Sequence, residues 1–296
     1  MARALGRILV TGAGGFIGAA LVSRLKTLAE EVTATDLGGS LPCDVPCDLT
    51  DFAQVEGLVA CGFDTIFHCG AVSGPMVMAD RPLEVWRINA SGTAHVLEAA
   101  RRHGQARVIV CSTSEVYGCL TGAVNETTPP APRSVYGASK LAAEAAVQGY
   151  VCEGVDAVAV RLSWIYGPGR RTPTMLETAL RALVAGEDFQ IAADPDDPTH
   201  YLWVDDAVIG LVRSAEITKL SRRCFNVTAG AAVPMREVVR VLNGLATGGR
   251  ISLRPVPPDL APSFIDNRAA EIELGFKADI SLETGLYLYL EALRRR

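Results

Sequence analysis

The chain has 296 residues, of which 49% are hydrophobic and 21% charged, and its formal net charge is −5. This length and composition are typical of a globular protein with a large core, or of a main domain with a smaller companion. Neither sign of charge forms a long block, so we predict no surface for nucleic acid or an anionic membrane. No stretch approaches the roughly 18 apolar residues of a membrane span, and the N-terminus lacks a secretory signal, which favours a cytoplasmic location.

The eight cysteines form neither a metal-binding nor a disulfide pattern. Cys69 and Cys111 lie inside apolar, strand-like runs, whereas Cys43 and Cys47 have no second ligand pair or clustered histidines beside them. We therefore interpret the cysteines as reduced, apolar side chains and predict no metal site.

The first organised stretch, Arg7–Gly18, reads as a strand, a tight turn and the start of a helix, because an apolar run leads into glycines and then into apolar residues at helical spacing. Glycines at such a turn let the backbone approach a pyrophosphate, while the helix N-terminus favours its charge. The alternative is an ordinary glycine-rich turn. The order of strand, turn and helix favours nucleotide binding. The predicted cofactor contacts are Gly12, Gly15, Phe16, Ile17 and Gly18.

The second predicted strand, Glu31–Asp36, ends in a carboxylate 18 residues after Gly18. A carboxylate at this place accepts hydrogen bonds from the ribose hydroxyls and repels a 2′-phosphate, so the cofactor is predicted to be NAD rather than NADP. A simple loop acid is the alternative for Asp36. Asp48 and Leu49, after a connection that contains proline and cysteine, are candidates for the adenine edge.

Further strands and helices alternate along the chain. Short apolar strands between helices predict an α/β fold with a doubly wound parallel sheet and helices on both faces. Ligands of such sheets bind at the carboxyl ends of the strands, which is where the candidate segments occur. The predicted strands are Asp64–His68, Ala106–Ser112, Ala157–Leu162 and Cys224–Val227, and the predicted helices are Leu83–His103 and Tyr136–Cys152.

Tyr136 and Lys140 are four residues apart in a predicted helix, so their side chains lie on the same face, about one turn from each other. An ammonium beside a phenol favours the phenolate and lowers the phenol pKa from about 10. The pair could then move a proton on and off a substrate hydroxyl. Alone, this spacing is more typical of an unrelated surface pair, and its weight comes from the motifs around it.

Six motifs follow one another along the chain, namely Thr11–Gly18, Asp36, Asn89–Thr93, Ser112–Gly118, Tyr136–Lys140 and Tyr166–Pro168. Taken together, they resemble the extended short-chain dehydrogenase/reductases and, more narrowly, the NAD-dependent epimerase/dehydratase family that acts on nucleotide sugars. The resemblance implies a Rossmann-type sheet, with residues 1–168 and a returning segment near 201–230 as the NAD-binding domain. Residues 169–200 and 231–296 would form a smaller C-terminal substrate-binding domain.

The resemblance also implies roles for single residues. Tyr136 would be the proton-transferring base, and Thr113 would hydrogen-bond the reacting oxygen. Lys140 would lower the Tyr136 pKa and hold the nicotinamide ribose, so both helix residues count among the cofactor contacts. The chemistry would be hydride transfer between the nicotinamide and a carbinol carbon. The alternative for Thr113 is a strand-end hydroxyl that caps the backbone.

Several neighbouring polar residues stay open to two interpretations. Ser73 and Ser114 are candidate substrate contacts. Glu115 is either a second acid/base group, as in related decarboxylases and dehydratases, or a solvated loop residue. His68 is interpreted as a packed, hydrogen-bonded residue, and Asn89 as a helix residue that bridges backbone groups.

Two departures from the family pattern concern the substrate. Trp164 stands where nucleotide-sugar enzymes of the family carry an asparagine, and Thr199 stands where they carry an arginine that commonly meets phosphate. Because bidentate, charge-assisted contacts to phosphate are strong, their loss argues against a diphosphate. Arg170 and Arg171 are either replacement donors for a carboxylate or phosphate, or a solvated pair.

We therefore expect an NAD-dependent oxidoreductase that acts on a sugar-like substrate without its nucleotide, either as a dehydrogenase or as an epimerase. The first alternative is a nucleotide-sugar epimerase similar to UDP-glucose 4-epimerase, or a decarboxylase or dehydratase that uses Glu115. The second is a non-catalytic NAD-binding sensor, against which the intact set of Thr113, Tyr136 and Lys140 argues. The family resemblance also suggests a homodimer through the helices near 89–103 and 136–152.

Overall fold

Seven parallel strands form the central sheet of the computed structural model, which describes residues 3–29, 31–39, 43–104, 106–258 and 261–295. The strands are β1 (Ile8–Thr11), β2 (Val32–Asp36), β3 (Val45–Pro46), β4 (Thr65–His68), β5 (Arg107–Thr113), β6 (Ala123–Val124), β7 (Ala157–Leu162), β8 (Trp164–Tyr166), β9 (Phe189–Ala192), β10 (Pro198–Thr199), β11 (Tyr201–Trp203), β12 (Cys224–Val227), β13 (Val233–Pro234), β14 (Ile251–Arg254) and β15 (Phe264–Ile265).

The α-helices among these residues are α1 (Phe16–Leu25), α2 (Phe52–Val59), α3 (Pro82–Trp86), α4 (Gly92–His103), α5 (Val135–Cys152), α6 (Met175–Ala185), α7 (Val204–Glu216), α8 (Met235–Leu245) and α9 (Leu282–Arg294). The order in the central sheet is β12-β7-β5-β4-β1-β2-β3, with every neighbouring pair parallel. The predicted α/β, Rossmann-type sheet is confirmed.

Helices cover both faces of the sheet, which explains why its strands are apolar without alternation. All seven residues of β5 and all six of β7 are buried. On one face, Leu21 of α1 and Leu211 of α7 join the core cluster, while on the other face Val55 of α2, Leu97 of α4 and Val147 of α5 form a second cluster.

The direction of strand addition reverses at β1, which pairs with β2 on one side and β4 on the other. Gly12 follows β1 with φ +66, and a Cβ atom there would lie 2.5 Å from the Cα of Gly70, which follows β4. Only glycine fits this backbone conformation and this close approach. The reversal leaves a crevice at the carboxyl ends of the strands, where ligands of such sheets bind.

The C-terminal elements extend the same core. Helices α6, α8 and α9 contribute Leu176, Val238 and Leu286 to the cluster that also contains Phe225 of β12. Two short parallel pairs, β9 with β14 and β8 with β11, lie outside the seven-stranded sheet. The division into domains near residue 168 remains a prediction.

The predicted helix Leu83–His103 differs in detail from the structure. The helical run begins at Pro82 and contains a π-helical turn at Arg87–Ser91 between α3 and α4. Within the parts of the chain that the structure describes, no helix is long and apolar enough to cross a membrane.

Candidate active site

Helix α5 carries Tyr136 and Lys140 and is fixed at its N-terminus by a cap. The Ser134 hydroxyl accepts a hydrogen bond from the amide of Gly137 at 3.0 Å, which satisfies one of the free amides of the first turn. A Cβ atom on Gly137 would lie 2.8 Å from the carbonyl oxygen of Glu115. The small residue therefore lets the first turn of α5 approach the segment that follows β5.

The phenol of Tyr136 lies buried at the carboxyl edge of the sheet, with the hydroxyls of Thr113 and Ser73 as hydrogen-bonding neighbours. Burial raises the Tyr136 pKa to about 12, and the nearby charge of Glu115 adds to this effect. Thr113, Ser73 and the charge of Arg170 act in the opposite direction. The net direction is opposite to the lowering that the family resemblance implies, because desolvation of the phenolate outweighs the favourable contacts.

The ammonium of Lys140 is buried and points to the strand below. It donates a hydrogen bond of 2.8 Å to the carbonyl oxygen of Cys111 on β5. The sulfur atoms of Cys111 and Cys69 are 3.4 Å apart beside it. Burial lowers the Lys140 pKa, whereas Cys111, Cys69 and Glu144 raise it. Arg170, and not Lys140, is the main cation that favours the Tyr136 phenolate in this structure.

Thr113 caps the backbone, as the alternative interpretation expected, while its hydrogen bond to a reacting oxygen remains a prediction. Its hydroxyl caps the 3₁₀ turn Ser114–Tyr117 by accepting a hydrogen bond of 3.2 Å from the amide of Glu115, and it also contacts the phenol of Tyr136. Ser114 is buried and Glu115 is half-buried in the same turn. The structure therefore brings Ser73, Thr113, Glu115 and Arg170 together around the phenol.

The glycine turn follows β1, which β4 separates from β5 in the sheet. The amide of Gly15 donates to the carbonyl oxygen of Gly12 at 3.0 Å, and a Cβ atom on Gly18 would overlap that same oxygen. One carboxylate oxygen of Asp36 accepts a hydrogen bond of 2.9 Å from the amide of Gly14. The turn therefore carries no side chain where Gly15 and Gly18 approach the Gly12 carbonyl, and it has a carboxylate beside it. This arrangement fits the pyrophosphate and ribose of a dinucleotide.

The two residues predicted at the adenine edge make local contacts. One carboxylate oxygen of Asp48 accepts hydrogen bonds from the amide and the hydroxyl of Thr50, at 2.9 and 2.8 Å. Leu49 is half-buried and packs beside Gly70 and Gly92. Their contact with adenine remains a prediction.

Arg170 and Arg171 differ in their surroundings. The guanidinium carbon of Arg170 lies 5.9 Å from the ring centroid of Phe16, at the start of α1, and one of its terminal nitrogens donates to the carbonyl oxygen of Ile165 at 3.1 Å. Its buried Nε has no hydrogen-bond partner among the described residues. Arg171 is exposed. Both arginines line a cavity of about 370 Å³ together with Pro173, Glu177, Thr178 and Arg181.

Thr199 and Trp164, the two positions that depart from the family pattern, make contacts within the protein. Thr199 is 1% exposed, and its hydroxyl donates to the carbonyl oxygen of Val233 at 2.6 Å, across the antiparallel pair β10–β13. The indole of Trp164 is half-buried and meets the ring of Tyr201 edge-on, with centroids 5.7 Å apart.

The predictions for His68 and Asn89 are confirmed. Thr93 donates its hydroxyl proton to the Asn89 carbonyl, so the His68 Nε2 must donate to Thr93 at 3.0 Å, and Nδ1 accepts from the Thr11 hydroxyl at 2.8 Å. Burial, with a smaller effect of the Lys140 charge, lowers the His68 pKa to about 3. The side-chain amide of Asn89 bridges the backbone amide and carbonyl of Val72.

A buried polar network behind the phenol was missed by the sequence analysis. Glu144, one turn beyond Lys140 on α5, binds Arg161 of β7 through two guanidinium nitrogens and accepts a hydrogen bond from Ser112 of β5. Arg161 also donates to the hydroxyl of Tyr117 at 2.9 Å. A signal was present in the sequence, because a lone glutamate in an alanine-rich helix and a lone arginine in an apolar strand need each other if both are buried.

Comparison with known proteins identifies a family and several similar enzymes. The model of the NAD-dependent epimerase/dehydratase family matches residues 8–227. UDP-glucose 4-epimerase of Mycolicibacterium smegmatis is 32% identical, over 98% of this chain and 99% of its own length. Uronate dehydrogenase of Pseudomonas putida is 35% identical over 53% of this chain and 60% of its own. The solved structure of MoeE5 in complex with UDP-glucuronic acid and NAD is 32% identical, with a TM-score of 0.86, over 98% of this chain and 99% of MoeE5.

Proposed function

Since this chain belongs to the NAD-dependent epimerase/dehydratase family, we propose that it transfers a hydride between NAD and a hydroxyl or carbonyl carbon of a sugar-like substrate that lacks a nucleotide diphosphate. The chain is an NAD-dependent enzyme. The observation that carries the proposal is the cluster of Thr113, Ser73 and Tyr136 at the carboxyl edge of the sheet, the same edge at which the glycine turn follows β1. Lys140 lies on the same face of α5 as Tyr136, about one helical turn away.

Bound NAD would supply the carbon that accepts or donates the hydride. The residues proposed to hold it are Gly12, Gly15, Phe16, Ile17 and Gly18 of the turn, with Asp36, Asp48 and Leu49 at the adenosine end and Tyr136 and Lys140 at the nicotinamide end. This assignment is supported by the space that the turn leaves for a pyrophosphate and by the carboxylate at the end of β2.

The proton is proposed to move through Tyr136. Because burial raises its pKa to about 12, the phenol is protonated at neutral pH and is suited to donate a proton to a carbonyl oxygen during reduction. Oxidation of an alcohol requires the phenolate, which Thr113, Ser73 and Arg170 favour. We therefore expect alcohol oxidation to accelerate as the pH rises above neutrality.

The absence of a diphosphate from the substrate is supported by Thr199 and Trp164. The Thr199 hydroxyl is already used in a strand pairing, so this position offers no donor to a phosphate. Trp164 offers an indole in place of an amide. Uronate dehydrogenase, one of the relatives, is named for a substrate without a nucleotide, which agrees with this proposal.

The experiment follows the reduced-nicotinamide absorbance of the protein with NAD and a panel of sugars and sugar acids. Net formation of NADH supports a dehydrogenase. In parallel, the binding of UDP, dTDP and GDP to the NAD-loaded protein is measured. We expect no binding at micromolar concentrations, and micromolar affinity for any of the three would overturn the nucleotide-free substrate.

The second candidate function is a nucleotide-sugar epimerase, or a decarboxylase or dehydratase in which Glu115 acts as a further acid. It is favoured by the similarity to UDP-glucose 4-epimerase along nearly the whole of both chains. Inversion of a UDP-sugar without net NADH would identify it. A homodimer through the helices near 89–103 and 136–152 is also proposed, and light scattering that shows only monomer would contradict it.

A further inference from the structure

Arg170 has an unsatisfied hydrogen-bonding edge close to the catalytic phenol. Its Nη1 donates to the carbonyl oxygen of Ile165, which fixes the plane of the guanidinium, while its Nε is buried without a partner among the described residues. A buried donor without an acceptor is costly, so it indicates a partner that the protein alone does not supply. The Phe16 ring of the predicted cofactor turn lies 5.9 Å from the guanidinium carbon, and the charge of Arg170 acts on the phenol of Tyr136.

The same edge of other arginines in this chain binds carboxylates. Nε and Nη2 each donate to a different carboxylate oxygen, at 2.6 to 2.9 Å, in the pairs Arg161–Glu144, Arg101–Glu98 and Arg240–Glu237. This fork matches the two oxygens of a carboxylate. Glu177 is the carboxylate whose negative charge opposes the lowering of the Arg170 pKa by burial, but Arg181 already binds this carboxylate. In the described residues, therefore, the Arg170 fork has no carboxylate of its own.

We propose that Arg170 binds a carboxylate of the substrate through its Nε–Nη2 edge, so that the enzyme acts on a sugar acid or another polyhydroxy acid. This inference rests on the proposed function, because it places the acid beside the hydroxyl that Tyr136 serves. Because Nη1 of Arg170 donates to Ile165, the guanidinium offers one pair of donors, Nε and Nη2, which matches the two oxygens of a planar monoanion. A phosphate ester, with its larger charge, would call for further cations around it, and the neighbouring Arg171 is exposed while Arg181 is paired.

The test measures binding without turnover. The full chain is saturated with NADH, which cannot oxidise an alcohol further, and is titrated calorimetrically with D-glucuronate, D-galacturonate, D-glucose, D-galactose and D-glucose 6-phosphate. We expect at least one of the two acids to bind at least 10-fold more tightly than its neutral counterpart and than the phosphate ester. Binding of both acids no tighter than that of the neutral sugars, tighter binding of the ester, or no binding of either acid would overturn the proposal.

Three variants locate the effect. Arg170→Gln is expected to weaken binding of the acid about 10- to 100-fold, as the loss of charge-assisted hydrogen bonds predicts, and to leave the neutral sugars within about twofold. Arg170→Lys keeps the charge without the fork and should recover only part of the affinity. Arg171→Gln is the matched control and should change little. Thermal unfolding of each variant verifies that it is folded, and a loss confined to Arg171→Gln would contradict the assignment.

The result is separable from the proposed function. If the acids bind through Arg170 but no compound yields NADH with NAD, the anion site stands and the redox proposal fails. If the sugar acids yield NADH with the same kcat/KM in the wild type and in Arg170→Gln, the redox proposal stands and the carboxylate assignment fails.

Discussion

Glu144→Gln is predicted to be one of the most destabilising isosteric changes near the site. Glu144 accepts hydrogen bonds from Nε and Nη2 of Arg161 at 2.9 and 2.7 Å and from the hydroxyl of Ser112. The two charged side chains are only 6% and 8% exposed. Glutamine keeps the shape of the side chain but removes the negative charge, so the arginine remains buried without a counter-ion.

The size of the effect follows from this burial. Removing one partner of a buried ion pair typically costs about 3–5 kcal/mol in the free energy of unfolding, because the remaining charge is uncompensated. A hydrogen bond from the guanidinium to the one amide oxygen recovers a part of this, so we expect about 3 kcal/mol. Glu144 also lies one turn from Lys140, and its loss should slow NADH formation in addition.

Urea unfolding of the wild type and the variant measures the difference, provided that unfolding is reversible and the m-value is unchanged. Glu237→Gln is the matched control, because Glu237 binds Nε and Nη2 of Arg240 through its two oxygens, but the two side chains are 40% and 68% exposed. That pair spans one helical turn at the surface and should contribute far less than the buried pair. Equal losses in the two variants, both below about 1 kcal/mol, would refute the reasoning.

Three further changes test other parts of the account. Gly12→Ala should weaken NAD binding at least 10-fold in a fluorescence titration, because the new Cβ meets Gly70 and φ is positive. Gly57→Ala, in open space on α2, should leave binding unchanged, and an equal loss in both would contradict the role of the turn. Thr113→Val should lower kcat at least 10-fold with an unchanged NAD affinity, since the hydroxyl contacts the phenol; an unaltered kcat would remove Thr113 from the site. The folded-state pKa of His68, about 3, is depressed below its ordinary 6.5, so the stability that it contributes is present above pH 6.5 and is lost as the pH falls towards 3. Unfolding curves should show a loss of about 2 kcal/mol between pH 6.5 and 5 that His68→Gln removes, whereas an identical slope in the variant would contradict this origin.

Local sequence patterns predicted the strand ends and the face of α5, because period and turn chemistry are encoded by neighbouring residues. Tyr136, Thr113 and the glycine turn were therefore expected near one another, and the sheet brings their elements to a common edge. The strand bounds Ala157–Leu162 and Cys224–Val227 agree with the prediction at both ends.

Features that depend on tertiary contacts were not predictable in the same way. The π-helical turn Arg87–Ser91 contains Asn89, whose side chain reaches the backbone of Val72, a contact that no local pattern specifies. The pairing of Glu144 with Arg161 requires the register between α5 and β7. The raised pKa of Tyr136 follows from its burial, whereas residue spacing showed only the nearby charge of Lys140.

The most direct test of the central claim is hydride transfer by Tyr136→Phe. The variant is mixed with NAD and an acid that the wild type oxidises, and both NAD affinity and the reduced-nicotinamide absorbance are followed. The account predicts that NAD still binds and that NADH formation falls at least 100-fold. NADH formation near the wild-type rate would contradict the claim that this phenol carries the proton.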